Sequence, residues 1–122
     1  MRNTQGFPPD PFMIPASKLD NLRDSVKAVL KGYSLENGRK EVEDVQRIDV
    51  ENFYDENDNP VDESNLEDCK TGSFSVRCRI KEPDVDGNGE MSYSGHCEGE
   101  FKVESYNPDN KTFKTTIIHA FE

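Results

Sequence analysis

The residues best placed to do chemistry lie in one short run, Asp84-Val85-Asp86-Gly87-Asn88-Gly89-Glu90. Alternate positions offer a carboxylate or amide oxygen and a glycine allows a sharp bend, as in the first half of a calcium-binding loop. The second half is missing. The twelfth position, where a bidentate glutamate would complete the coordination sphere, is Gly95, and the flanking residues alternate as strands do instead of repeating as helices. Asp and Asn beside Gly are also the ordinary chemistry of a hairpin turn. The run therefore reads as a turn, and no metal or other cofactor is expected.

Cys97 and His119 form the next pair, because a thiol beside an imidazole is the minimum for a thiolate nucleophile. The strand pattern sets both on one apolar sheet face with Phe101, Ile117 and Phe121. Buried there, a thiol behaves as a small hydrophobe and stays protonated. His96 falls on the opposite, wet face among acids and has no evident co-ligands. These residues point to a protein that is not an enzyme.

Carboxylates dominate the remaining chemistry. Residues 41–68 carry twelve acids against the single base Arg47, a local charge of −11, whereas the rest of the chain, with 14 bases and 13 acids, is close to neutral. The whole chain has a net charge of −10. Such a chain is repelled by nucleic acid and by anionic membranes, both polyanions that bind through basic patches. A basic protein surface is the electrostatic complement. Within the tract, Asp49, Glu51, Asp55, Glu56, Asp58, Asp62 and Glu63 are the expected partner-binding residues, drawing the partner in by long-range attraction.

The elements that must position these groups are set by spacing. Four prolines (Pro8, Pro9, Pro11, Pro15) make residues 1–16 an extended arm, and its Phe7, Phe12, Met13 and Ile14 suit packing better than solvation. Ser17 is an N-cap with Asp20 three residues on, so a helix starts at Lys18. Leu19, Leu22, Val26, Val29 and Leu30 form its apolar face, and Gly32 ends it.

Residues 34–40 read as a loop. Ile48, Val50 and Tyr54 then mark a strand over 45–54, in competition with a short helix through Val42, Val45 and Asp49. An acidic loop fills 55–71. Phe74, Val76, Cys78 and Ile80, then Met91, Tyr93, Cys97, Phe101 and Val103, alternate with polar residues in two strands, and Phe113 to Phe121 supplies a last one. A register with Arg77 near Glu100 and Arg79 near Glu98 aligns opposite charges, and Glu104 opposite Lys114 brings Phe113, Thr115, Ile117, His119 and Phe121 onto the core side. Gly95 and Gly99 let the helix approach the sheet closely.

The resulting fold is α+β: one N-terminal amphipathic helix packed on a four-stranded antiparallel meander, a single domain over 17–122 that succeeds the arm. Cystatin-like domains share this order, but the Gln-x-Val-x-Gly type loop that cystatins use against proteases is absent.

The chain has no run of about 18 apolar residues, and its first residues lead into prolines instead of an apolar signal core. Three cysteines, Cys69, Cys78 and Cys97, show no Cys-x-x-Cys spacing, as befits reduced thiols. A cytoplasmic protein is expected. The functional expectation is an acidic inhibitor that docks on a nucleic-acid-handling protein, by analogy with immunity proteins and phage anti-defence (anti-CRISPR-like) proteins. The alternative is a structural subunit of a virion or secretion complex that docks through Phe7, Phe12 and Ile14.

Overall fold

The computed structural model describes residues 17–35, 38–83 and 89–122. The N-terminal arm, with Phe7, Phe12 and Ile14, lies outside the described residues, as does most of the calcium-like run, 84–88. Helix α1 (Lys18–Leu30) precedes β1 (Ser34–Leu35), β2 (Lys40–Tyr54), a 3-10 helix (Glu63–Asp68), β3 (Thr71–Pro83), β4 (Glu90–Asn107) and β5 (Thr112–Phe121). The strands form one antiparallel sheet in the order β1-β2-β3-β4-β5. The fold is thus α+β with five strands. The extra one is the two-residue β1, which pairs with Glu41 and Lys40 inside the segment read as a loop.

Helix α1 obeys its sequence signals. The Ser17 hydroxyl accepts a hydrogen bond from the Asp20 amide at 3.1 Å, satisfying one of the amides that a helix start leaves without a partner. Gly32 takes φ +84°, and its amide donates to the Val42 carbonyl at 2.7 Å, which fastens the helix exit to β2. Leu22, Val26 and Leu30 are fully buried, whereas Val29, expected in the core, is 37% exposed.

The helix makes its closest backbone approach to strands other than β4, the strand that carries Gly95 and Gly99. It packs chiefly on β5 and then on β2, the strands that flank the pair β3–β4. Ser25 and Thr115 share a hydroxyl hydrogen bond of 2.8 Å, and Asn21 donates to the Lys111 carbonyl at 2.7 Å. Phe74, Val76, Cys78, Cys97 and Phe101 from the central strands belong to the same core. The glycines make room within the sheet instead. A Cβ on Gly99 would collide with the His119 carbonyl and stand 2.8 Å from the Ala120 Cα, and one on Gly95 would stand 2.7 Å from the Ile80 Cδ1.

Register also departs from expectation. Arg77 pairs with His96 and Arg79 with Ser94, while Ser73 and Ser75 face Glu100 and Glu98. The pairing runs without a shift from Thr71 opposite Lys102 to Pro83 opposite Glu90, and a slip of two residues keeps every side chain on its face, so the alternation alone does not select it. Between β4 and β5, Val103 pairs with Thr115 and Ser105 with Lys114, leaving Glu104 at a register shift. A second shift lies between Phe101–Ile117 and Glu100–His119, with Ile118 as the extra residue. An inserted residue reverses the facing of the residues beyond it. Phe113 and Thr115 are therefore buried, Ile117 is partly buried, and His119 and Phe121 are exposed.

Three such irregularities also interrupt β2, at Val42/Asp44, Val45/Arg47 and Glu51/Tyr54, and Asn52 takes φ 57°. They turn Val42, Val45, Val50 and Phe53 inward and leave Tyr54 40% exposed. The acidic segment after β2 is more ordered than a solvated loop, because its 3-10 helix sends Leu66 into the core at 0% exposure. Among the described residues no helix is long and apolar enough to cross a membrane.

Candidate functional site

The expected partner-binding residues divide among three places. Asp49 and Glu51 project from β2 on the face of the sheet opposite the core, since Val50 between them is buried. β3 sets Ser75 beside Asp49 and Ser73 beside Glu51, and β4 continues each row with Glu98 and Glu100. Strands lie about 4.8 Å apart, so the β2 and β4 carboxylate columns stand roughly 10 Å apart across a column of short serines. A shallow depression of about 320 Å³ opens here, with His119 and Phe121 of β5 along its far side.

The bases of this face, Arg77, Arg79, Lys81 and Lys102 among them, lie mostly to either side of these two rows. Arg47 lies 3.9 Å from Asp49, both well exposed, a geometry that contributes little. His119 Nε2 is 2.7 Å from Glu100 Oε1, and its ring stacks on Phe121 at a centroid distance of 5.9 Å. Glu51 and Glu98 pair with no cation among the described residues. The groove suits a guanidinium or ammonium group, which would meet carboxylates on both sides and serine hydroxyls beneath.

The other five residues sit elsewhere. Asp55 builds its own turn: its carboxylate accepts from the amides of Asn57 at 2.8 Å and Asn59 at 2.9 Å, while Asp58 takes φ 62°. Glu56 borders a second depression with Glu67, Asp68, Lys70 and Glu104. Asp62 and Glu63 are exposed at the start of the 3-10 helix. Other acids of the tract are held by internal bases: Glu41 by Lys81 at 3.6 Å, Glu43 by Arg79 at 3.8 Å and Glu67 by Lys18 at 2.6 Å. The hydrogen bond from Lys18 holds the Glu67 carboxyl below its usual range.

Glu98 and Glu100 belong to this face and were not among the expected site residues. Their alternation with Cys97, Gly99 and Phe101 marks them as a wet face, but nothing linear ties them to acids some fifty residues earlier.

The Cys97–His119 pair does not form. Cys97 is buried with its sulfur 3.6 Å from that of Cys78, whereas His119 lies on the outer face beyond the Ile118 shift. Burial pushes the Cys97 thiol up to about 12 and the Cys69 thiol up to about 11, so neither is a thiolate at neutral pH. All three cysteines are free and buried. His96 is exposed, with Nε2 3.0 Å from the Ser75 hydroxyl. Among the described residues no group of three or more His, Cys, Asp or Glu could hold a metal ion. Comparison with protein-family models, curated proteins and solved structures returned no match.

Proposed function

We propose that this protein is a non-enzymatic binding protein that docks its acidic outer sheet face on a basic partner surface, as an inhibitor of a nucleic-acid-handling protein would. One observation supports the reading most: Asp49 and Glu51 from the acidic tract line up with Glu98 and Glu100 across Ser73 and Ser75, on strands with no layer over them among the described residues. A single arginine or lysine of the partner fits between the two columns, and exposed Asp58, Asp62 and Glu63 extend the negative field from the neighbouring segment. Four carboxylates on one rigid face steer a cationic partner and fix its orientation, which raises the association rate more than the residence time. By its size and charge the protein resembles immunity proteins and phage anti-defence proteins, an analogy and not a homology.

The test is affinity capture from the native host with the parent protein and with the double variant Glu51→Lys/Glu98→Lys, each across a salt series. The reading expects a basic protein retained by the parent, lost as ionic strength rises, and retained poorly by the folded variant. Equal retention by both, at every salt concentration, would remove the outer face from the binding surface.

A further inference from the structure

One end of the same face carries an arrangement of opposite sign. Arg47 of β2 stands directly opposite Arg77 of β3, and Arg77 directly opposite His96 of β4. With Ser75 and Asp49 these side chains line a depression of about 190 Å³. We propose that this depression binds hydrogen phosphate, the oxyanion resting on Arg47, Arg77, His96 and Ser75 with its remaining P–OH turned to Asp49. It shares Asp49 and Ser75 with the proposed docking groove, but phosphate binding is read on the protein alone and stands or falls without a partner.

Like charges directly opposite each other on neighbouring strands destabilise a sheet. Here the repulsion is poorly relieved. Asp49 reaches Arg47 only at 3.9 Å with both side chains exposed, and Arg77 forms no ion pair among the described residues. Arginines at directly paired positions that line one depression can bring planar guanidinium forks to the oxygens of a tetrahedral anion. The Ser75 hydroxyl lies 3.0 Å from His96 Nε2; with the proton on Nε2 the imidazole donates to Ser75 Oγ, which leaves the hydroxyl hydrogen for the anion.

The overall charge of −10 does not forbid this, because at physiological salt exposed charges beyond about 8 Å are largely screened and the local row governs. Asp49 makes the site selective. A carboxylate accepts a hydrogen bond from the P–OH that phosphate keeps at neutral pH, and it repels sulfate, which has none.

The experiment is a titration of isotopically labelled protein with inorganic phosphate, and separately with sulfate, followed by NMR at the backbone amide, arginine Nε–Hε and histidine ring signals. Phosphate should move Arg47, Arg77 and His96 saturably and leave the distant Lys111 and Asn21 region still, with sulfate weaker. Arg77→Gln should weaken phosphate binding about tenfold, the loss of a hydrogen bond to a charged group. Asp49→Asn should bring sulfate level with phosphate. Both positions are exposed, and Arg77→Gln should be at least as thermally stable as the parent, because it removes the like-charge pair. Absence of saturable shifts at the three residues, equal binding of the two anions by the parent, or undiminished binding by Arg77→Gln would each overturn the assignment.

Discussion

Leu66 separates a pinned acidic segment from a solvated one. Its side chain is 0% exposed beneath the 3-10 helix Glu63–Asp68, although it sits among acids that on composition alone read as a loop. Leu66→Ala deletes three carbons at about 0.8 kcal/mol each, and incomplete collapse of the resulting hole raises the total to roughly 3 kcal/mol. For a domain of this length that lowers the melting temperature by roughly 12 °C, at about 4 °C per kcal/mol. Differential scanning calorimetry and urea unfolding both read it, and the urea midpoint should fall with an unchanged slope, the mark of lost stability rather than altered compactness. The exposed neighbour Glu63→Ala should stay within about 0.5 kcal/mol of the parent. A Leu66→Ala loss below about 1 kcal/mol would refute the burial, since solvated loop positions give values of that size.

Three other substitutions or conditions probe the same physics. Ser17→Ala, which leaves the Asp20 amide without its 3.1 Å acceptor, should cost about 1 kcal/mol in urea unfolding. Gly99→Ala places a Cβ against the backbone of His119 and Ala120; no rotamer change relieves a backbone clash, so β5 should lose hydrogen-exchange protection before β3 does, with an overall loss of about 1–3 kcal/mol. The buried thiols have folded pKa values above the ordinary 9.0, at about 11 for Cys69 and about 12 for Cys97. Below pH 9 both folded and unfolded chains keep their protons and stability is unaffected. Above it the unfolded chain ionises first, so stability should fall as pH rises from 9 towards 11 to 12. Disulfide exchange reagents at mildly alkaline pH should accordingly leave the native protein unlabelled and label it in urea.

The helix was legible in the sequence because its signals are local: Ser17, the apolar repeat through Leu30 and Gly32 each act within one turn. The sheet was legible in parity but not in register. Phe74, Val76, Cys78 and Ile80 alternate cleanly and are buried, yet a two-residue slip would keep that alternation, so it does not encode which β4 residues face Arg77 and Arg79. β2 and β5 were obscured by inserted residues. Val42 and Val45 are three apart, as on a helix, because an irregularity separates them, and Ile118 turns His119 out of the core. Half of the carboxylate face was visible as a charge run at Asp49 and Glu51. The other half, Glu98 and Glu100, joins it only through pairing across β3, a long-range fact of the kind that local pattern does not carry.

Outer-face carboxylates that steer a basic partner into place act on the rate of encounter. Stopped-flow association of the captured partner with the parent and with Glu51→Lys/Glu98→Lys, at low and at physiological salt, measures that rate. The variant should associate about tenfold or more slowly at low salt, with a smaller difference at high salt and a dissociation rate that changes less. Association rates that coincide at low salt, with the variant shown to be folded, would contradict that steering.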